Sequence, residues 1–210
     1  MTATEKHFTP QSDVPVGDVR IVSTRASLSE RGAQIHTLTS DICNAFPNLK
    51  GFLVLGAGTE EIEVDALNNC KNLEVLYLFL DDLIKIDPEL LKENSKLTEI
   101  NFSYNVIEEV DPDMLKFTTI LKELDLSGNQ LKEFNYARMP IMEKLINFEI
   151  DRNNLAEIDQ NLLIEKMPNL KRIKFCGNNN ISKERVVELI EFFKTKNIEV
   201  EDCLEKEDLE

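Results

Sequence analysis

The chain has 210 residues, of which 42% are hydrophobic and 30% charged, a composition typical of a globular protein. Lysine and arginine number 24 against 39 aspartate and glutamate residues, and the resulting net charge of −15 argues against nucleic acid or anionic lipid as a partner. No apolar run approaches the roughly 20 residues that are needed to cross a bilayer, so membrane insertion is not expected.

The N-terminal part of the chain divides into two predicted segments. Residues 1–17 have few apolar positions, and we expect this segment to be mobile or loosely draped. No apolar signal-peptide core follows Met1, so secretion would require a leader that was removed before this point. Residues 18–48 are predicted to form an N-terminal cap with a divergent first turn. The apolar residues of this cap are Val19, Ile21, Ile35, Leu38 and Ile42.

One hydrophobic pattern recurs six times within residues 49–181. Positions four and six of the pattern are apolar in all six copies, while position nine is asparagine in four of them. The consensus, Leu-x-x-Leu-x-Leu-x-x-Asn-x-Leu, is that of the leucine-rich repeat. The first positions of the six copies, 24 or 25 residues apart, are Leu49, Leu73, Leu97, Leu121, Leu145 and Leu170.

The repeat predicts an α/β fold, namely a leucine-rich-repeat solenoid. Positions four and six alternate with solvent-facing neighbours, as in a short strand, and a single repeat buries its apolar stripe only by stacking on others. We therefore expect a parallel sheet on the concave side and short helices or 3₁₀ turns on the convex side. Asp87 and Asp111, which precede Pro88 and Pro112, are predicted N-caps of the convex segments. The position-nine asparagines are expected to bond main-chain groups of adjacent turns.

The C-terminal part is predicted to close the solenoid. Residues 182–203 form a cap, in which Ser182 N-caps an amphipathic helix over 183–194 and a last strand follows at Ile198 and Val200. Residues 204–210 form an acidic tail. The helix residues expected to face inward are Val186, Val187, Leu189, Ile190 and Phe193.

The four cysteines form two predicted pairs, one near each end of the repeats. Cys43 and Cys70 lie on the convex flank of successive turns, and turns stacked about 5 Å apart bring them within reach of a disulfide. Cys176 follows the last repeat strand and Cys203 follows the strand of the cap, so stacking of those strands brings the two sulfurs together. Two disulfides favour an oxidising compartment, with free thiols as the alternative. No metal is expected, because no CxxC pair or nearby histidine is present.

The segments Ile42-Cys-Asn-Ala-Phe-Pro-Asn-Leu49 and Ala66-Leu-Asn-Asn-Cys-Lys-Asn-Leu73 resemble short secreted leucine-rich-repeat proteins of arthropods, including mosquito immune proteins. The resemblance covers roughly residues 19–181 and implies secretion and a role in innate immunity. No long heptad region follows the repeats, so the coiled-coil dimerisation common in that group is not implied. The glycosylation sequons at Asn101 and Asn180 are compatible with secretion.

The predicted binding surface is the concave sheet, where partners of leucine-rich repeats most often bind. Positions three, five, seven and eight of each repeat should be exposed there, and they are apolar at the N-terminal end, acidic in the middle and basic near Arg172 and Lys174. An exposed apolar area of several hundred Å² usually marks an interface. Alternatives for the apolar part are self-association or a cover formed by residues 1–34, and for the acidic part a solvated face. The predicted contact residues are Leu53, Leu55, Val75, Tyr77, Phe79, Leu80, Glu99, Tyr104, Glu123, Asp125, Glu149, Asp151 and Arg152.

Catalysis is not expected, since the two histidines, His7 and His36, lie outside any catalytic motif and no nucleotide, metal or cofactor motif is present. We therefore expect a secreted, non-catalytic recognition or adaptor protein that binds a protein or a hydrophobic ligand on its concave face, with innate immunity as the implied setting. The alternative is an intracellular leucine-rich-repeat scaffold or inhibitor with an acidic surface.

Overall fold

The computed structural model describes residues 35–201 and the backbone of one earlier strand, Ile21–Arg25. The predicted N-terminal segment 1–17 and acidic tail 204–210 lie outside the described residues. The strands are β1 Ile21–Arg25, β2 Thr37–Leu38, β3 Gly51–Leu55, β4 Glu61–Ile62, β5 Val75–Phe79, β6 Glu99–Asn101, β7 Glu123–Asp125, β8 Asn147–Glu149, β9 Arg172–Lys174 and β10 Glu199–Val200. The helices are α1 Asp41–Ala45, α2 Gln160–Lys166, α3 Lys183–Thr195 and the 3₁₀ helices Pro112–Phe117 and Tyr136–Arg138.

Among the described residues, eight strands form one parallel sheet in the order β1-β3-β5-β6-β7-β8-β9-β10. Strands β2 and β4 pair in a separate two-stranded sheet. Helices, 3₁₀ helices and turns connect successive strands of the large sheet, as expected for the predicted solenoid. Strand β1 adds one strand beyond the six repeats, in a segment where sequence analysis expected only a divergent turn.

The register of the large sheet stacks equivalent repeat positions on one another. Leu76 pairs with Ile100, and Ile100 pairs with Leu124, so that position four forms a continuous buried column. Position six forms a second column beside it. The fully buried members of the two columns are Phe52, Val54, Leu76, Leu78, Ile100, Phe102, Leu124, Leu126, Phe148, Ile150, Ile173 and Phe175. The predicted repeat phase is therefore confirmed.

The position-nine asparagines hold adjacent turns together through their side-chain amides. Asn129 donates from Nδ2 to the carbonyls of Phe102 (2.9 Å), Leu126 (3.0 Å) and Ser127 (3.2 Å). Its Oδ1 accepts a bond of 3.1 Å from the Ile107 backbone N–H of the preceding repeat. Main-chain groups that would otherwise be buried without partners are thus satisfied. The same pattern recurs at Asn105, Asn153 and Asn178.

The convex segments begin at side-chain caps. Asp111 precedes the 3₁₀ helix Pro112–Phe117 and accepts from the Asp113 N–H at 3.0 Å, as predicted. Asp87 accepts from the Glu89 N–H at 2.8 Å, but the segment that follows is a turn rather than a helix. Asp159 caps α2 in the same way, through bonds from the N–H groups of Asn161 and Leu162. Each cap supplies an acceptor that the first turn itself lacks.

A disulfide joins the N-terminal cap to the first repeat. Cys43 in α1 and Cys70 in the turn before Leu73 are bonded, with their Cα atoms 5.0 Å apart and a sequence separation of 27. Closing a loop of this length stabilises a fold by about 3–4 kcal/mol in the chain-entropy model. Cys176 is not a free thiol, and its predicted partner Cys203 lies outside the described residues.

The C-terminal cap is built on α3. Ser182 accepts from the Arg185 N–H at 3.2 Å, and the Phe193 ring packs 5.8 Å from that of Phe175 in the last repeat. Val187 is 44% exposed, so its predicted inward orientation is wrong. Because successive helix residues are 100° apart, the inward stripe through Val186, Leu189, Ile190 and Phe193 leaves Val187 on the flank.

The asparagine contacts can be tested at the centre of the stack. Asn129→Ala should lower the free energy of unfolding by at least about 2 kcal/mol, because buried carbonyls and one N–H lose their partner. Gln130→Ala, at the exposed neighbouring position, should change it by less than about 0.5 kcal/mol. Urea unfolding followed by circular dichroism measures both values. Equal effects at the two positions would contradict a structural role for the amide.

Candidate binding surface

The apolar patch lies on strands β3 and β5, where Leu53 pairs with Tyr77 and Leu55 with Phe79. These four side chains and Val75 are half-buried, whereas Leu80, which follows β5, is 53% exposed. Strand β1 pairs with β3 at the edge of the sheet, with Ser23 opposite Leu53, so β1 extends the sheet and does not cover its exposed face. The patch is therefore flanked by sheet on both sides. Most of residues 1–34, the cover considered from sequence, lie outside the described residues.

Tyr77 marks the boundary between the apolar patch and the acidic surface. Its hydroxyl donates a hydrogen bond to Oε2 of Glu99 on the neighbouring strand. Burial raises the pKa of the Tyr77 hydroxyl, and the contact with Glu99 raises it further. The hydroxyl therefore remains a donor over the physiological pH range, and it fixes the ring at the edge of the acidic residues.

The acidic centre consists of Glu99, Glu123, Asp125, Glu149 and Asp151. The register places Glu99 opposite Glu123, and Asp125 opposite Glu149, on strands β6, β7 and β8. Asp125 accepts bonds from the Ser127 N–H (2.9 Å), the Ser127 hydroxyl (2.6 Å) and the Asn101 amide (2.9 Å). The repeat frame predicts a solvent-facing carboxylate at Asp125, but this side chain is half-buried and bonded on both oxygens.

Two carboxyl groups of the acidic centre have raised pKa values. Burial, and then the nearby charge of Asp125, raises the pKa of Glu149, although the hydrogen bond to Lys174 opposes this shift. Burial likewise raises the pKa of Asp151, which is only 8% exposed. The Asp151 Oδ1 atom is buried and has no hydrogen-bond partner. Burial and mutual repulsion thus disfavour the charged forms of these groups.

The basic C-terminal end predicted from sequence is neutralised in the structure. Lys174 Nζ lies 3.2 Å from Oε2 of both Glu149 and Glu201, and Arg172 Nη1 lies 3.6 Å from Oε1 of Glu201. Glu201 follows β10 in the cap and therefore falls outside the repeat frame that was used to read the surface. The sequence feature that could have indicated these ion pairs is Glu201, the acidic residue directly after the last predicted strand.

A row of left-handed residues runs along the carboxyl ends of the strands, at position eight of every repeat. Three members are not glycine: Leu80, Tyr104 and Arg152, with φ of 57°, 53° and 51°. A left-handed conformation costs a residue with a side chain roughly 1–2 kcal/mol, which glycine avoids. The other members are Gly56, Gly128 and Gly177.

Tyr104 and Arg152 meet across the repeat that separates them. Arg152 Nη1 donates a bond of 2.6 Å to the Tyr104 hydroxyl, 48 residues away. A Cβ atom on Gly128 would lie 2.8 Å from the Tyr104 ring, so only glycine leaves room for the ring to cross. Both residues are among the contact residues predicted from the repeat frame, but the hydrogen bond between them was not predicted.

The two sequons differ in their surroundings. Asn101 is half-buried on the concave face, where its Oδ1 accepts from the Ser103 N–H (2.8 Å) and hydroxyl (2.6 Å). Asn180 is exposed, and its amide donates to the Asn154 carbonyl at 2.9 Å. Glycosylation remains a prediction at both positions, and a glycan at Asn101 would stand on the proposed binding face.

The remaining predictions concern metal, catalysis and membrane. His36 Nδ1 lies 3.5 Å from Oε1 of Glu60, on the exposed surface, while His7 lies outside the described residues. Within residues 35–201, histidine, cysteine and acidic side chains form no group of three or more with the geometry of a metal site. None of the helices described here is long and apolar enough to span a membrane.

Stacked turns of 24 or 25 residues, a parallel sheet and repeated asparagine contacts define the fold of a leucine-rich-repeat protein. Residues 71–131 match the family model described as leucine rich repeat. The leucine-rich-repeat domain of the mosquito protein APL1 is similar in structure, with a TM-score of 0.60 and 16% identity over 69% of this chain and 37% of that one.

A leucine-rich-repeat protein of Leptospira interrogans is also similar, with a TM-score of 0.64 and 19% identity over 88% of this chain and 49% of that one. This chain therefore spans less than half the length of either structure. No curated protein matches the sequence. At these identities the likeness concerns the fold.

The left-handed row offers a test that separates fold from binding. Leu80→Gly relieves the left-handed strain and should destabilise the protein by about 1 kcal/mol less than Ile84→Gly. Ile84 is a matched control because it is 55% exposed and has no positive φ. Thermal and urea unfolding of both variants measure the difference. An equal loss at both positions would show that Leu80 carries no strain.

Proposed function

We propose that this chain is a secreted, non-catalytic recognition or adaptor protein whose concave sheet binds a protein partner. One observation supports this proposal above all. The apolar patch, which includes the strongly exposed Leu80, lies directly beside the acidic centre on neighbouring, paired strands of the sheet. The predicted contact residues described above form this surface. A hydrophobic ligand is the alternative to a protein partner at the same patch.

The apolar patch has the chemistry of an interface anchor. Aromatic rings bring a large apolar area to an interface at low entropy cost, and they are enriched among the residues that dominate binding energy. Tyr77 and Phe79 lie on one strand and face the same way, two residues apart. Leucine-rich-repeat domains commonly bind proteins, which supports a protein as the partner.

Capture experiments test the proposed face. Tyr77→Ala with Phe79→Ala should abolish capture of the partner from extracellular fluid of the source organism, or weaken a measured affinity at least thirtyfold, since each anchor contributes about 2 kcal/mol or more. Ile120→Ala with Ile141→Ala is the control, because both residues are exposed apolar side chains outside the sheet. Captured proteins are identified by mass spectrometry, and their affinities are then measured with purified components.

Circular dichroism shows whether each variant is folded, and the molecular mass in solution gives its oligomeric state. If the double variant at Tyr77 and Phe79 is folded and binds as well as wild type, the binding site lies elsewhere. If instead it is folded and a wild-type dimer becomes a monomer, the patch serves self-association. A variant that does not fold would mean that the two rings belong to the core, and Leu80→Gly then tests the same surface without a core residue.

Secretion and a role in innate immunity are part of the proposal. The buried disulfide between Cys43 and Cys70 is compatible with an oxidising compartment. The resemblance of the segments around these cysteines to secreted mosquito immune proteins supports an extracellular immune role. Thiol titration of protein isolated from its natural source under denaturing conditions, without reductant, should find no free thiol. Four titratable thiols would favour the intracellular scaffold or inhibitor instead.

A further inference from the structure

We propose that Asp81 is a pH-sensitive contact in the stack, in which binding of a proton completes the hydrogen bonds between the turns that follow β3 and β5. When its carboxyl group is protonated, these two turns are held together as elsewhere in the solenoid. When it is ionised, one contact is missing and the N-terminal repeats open more readily. The inference goes beyond the proposed function and holds with or without a partner on the concave sheet.

Asp81 stands at position nine, where four later repeats have asparagine. In those repeats Oδ1 accepts from a backbone N–H that lies 22 or 23 residues earlier. The amide nitrogen donates to the carbonyl three residues earlier and to a carbonyl of the preceding repeat. Oδ1 of Asp81 keeps the first role, since it accepts from the N–H groups of Thr59 (3.0 Å) and Ala57 (2.7 Å). The second oxygen therefore takes the place of the amide nitrogen.

That second oxygen lacks a donor. Asp81 is only 6% exposed, and its Oδ2 atom forms no hydrogen bond with any part of the chain that the structure describes. The Thr59 hydroxyl is close enough to favour the ionised form, but the two side chains form no hydrogen bond of regular geometry. By the spacing of the later repeats, an amide here would donate to the carbonyls of Val54 and Leu78. An ionised carboxylate cannot donate to a carbonyl, whereas a protonated one has an O–H group that can.

The surroundings of Asp81 disfavour its charge. Burial raises the pKa of this carboxyl group, and the hydrogen bonds from Thr59 and Ala57 oppose the shift without cancelling it. A buried carboxylate is costly unless a counter-charge lies beside it. The titratable side chains on the neighbouring turns are all exposed, so none of them is a buried counter-charge. They are His36, Glu60, Glu61, Asp82, Lys85 and Tyr104.

The direction of the pH dependence follows from the raised pKa. The pKa of aspartate in an unfolded chain is about 3.9, so the folded chain binds the proton more tightly than the unfolded chain does. The stabilisation that the proton provides is complete below about pH 3.9 and is lost as the pH rises through the folded pKa of Asp81. Acid therefore strengthens this junction, and neutral pH weakens it.

The contact joins the two turns next to the apolar patch. Strand β3 ends at Leu55, two residues before Ala57, and β5 ends at Phe79, two residues before Asp81. Two backbone hydrogen bonds do not depend on the carboxyl group, namely Gly56 N–H to the Phe79 carbonyl (3.3 Å) and Asp82 N–H to the Thr59 carbonyl (3.0 Å). Ionisation therefore weakens the junction without unfolding it.

The melting temperature of Asp81→Asn, compared with that of wild type at several pH values, tests the inference. Asparagine has nearly the same shape and donates at every pH, so the variant should melt at a higher temperature than wild type at about pH 7.5. This difference should exceed the difference at about pH 4 by at least about 2 °C. Thermal unfolding of the whole chain, followed by circular dichroism, measures both values.

Asp82→Asn is the matched control, because it removes a carboxylate from the exposed neighbouring position. Its melting temperature relative to wild type should vary by less than about 1 °C over the same pH range. Subtracting this control removes the general effect of acid on a chain with a net charge of −15. What remains is the contribution of the buried carboxyl group.

The proton on Asp81 can also be measured directly in wild type. Carbon-13 NMR of isotope-labelled protein reports the titration of each carboxyl group, and the signal of Asp81 is assigned through its bonded Cβ atom. Asp81 should titrate at a higher pH than the exposed Asp82. This measurement decides the inference if Asp81→Asn does not fold.

Three results would overturn the inference. A difference in melting temperature that is the same at both pH values would show that Asp81 does not titrate in the folded chain. A lower melting temperature of Asp81→Asn at about pH 7.5 would show that the ionised carboxylate fits the site better than an amide. Titration of Asp81 at or below the pH of Asp82 would show that the fold stabilises the charge. None of these results affects capture through Tyr77 and Phe79, so the proposed function is tested separately.

Discussion

The side-chain amide of the position-nine asparagine is the interaction on which the rest of the solenoid depends. Each turn of the chain leaves main-chain donors and acceptors inside the stack, and an amide can both donate to and accept from them. Asn129 does so between two adjacent repeats at distances of 2.9–3.2 Å. Because this contact fixes the phase of one turn on the next, it also fixes which positions face the core and which form the concave surface.

The N-terminal end departs from this rule and is held by other means. Asp81 stands at position nine and accepts from the N–H groups of Ala57 (2.7 Å) and Thr59 (3.0 Å), but an ionised carboxylate cannot donate to the carbonyls that asparagine would satisfy. Burial raises the pKa of Asp81, which indicates that the group fits its site poorly when charged. The disulfide and Asn94, whose amide bonds the carbonyls of Leu67 and Cys70, strengthen the same end from the convex side.

The sequence predicted the features that depend on one repeat frame or on one local segment, and it missed the side-chain contacts between distant segments. A 24-residue phase was sufficient to place the buried columns through Leu76 and Leu78, the caps and the disulfide at Cys43, because each depends on a position within one frame or its neighbour. The contact of Arg152 with Tyr104 spans two repeats, and the ion pairs of Glu201 join the cap to β9. The pattern within one repeat does not predict such contacts, because the distance between two side chains of different repeats depends on how the turns stack.

The concave face carries two kinds of unfavourable free energy, left-handed residues that bear side chains and a buried carboxylate. Position eight is left-handed and bears side chains at Leu80, Tyr104 and Arg152, and position seven holds a buried, partly unbonded carboxylate at Asp151. The fourth repeat shows the less costly solution at the equivalent positions, with Ser127 bonded to Asp125 and Gly128 free of strain. Stability alone would favour serine and glycine in every repeat. Strained residues often cluster at binding sites, and the costlier residues lie together on the face of the sheet that we propose to bind a partner.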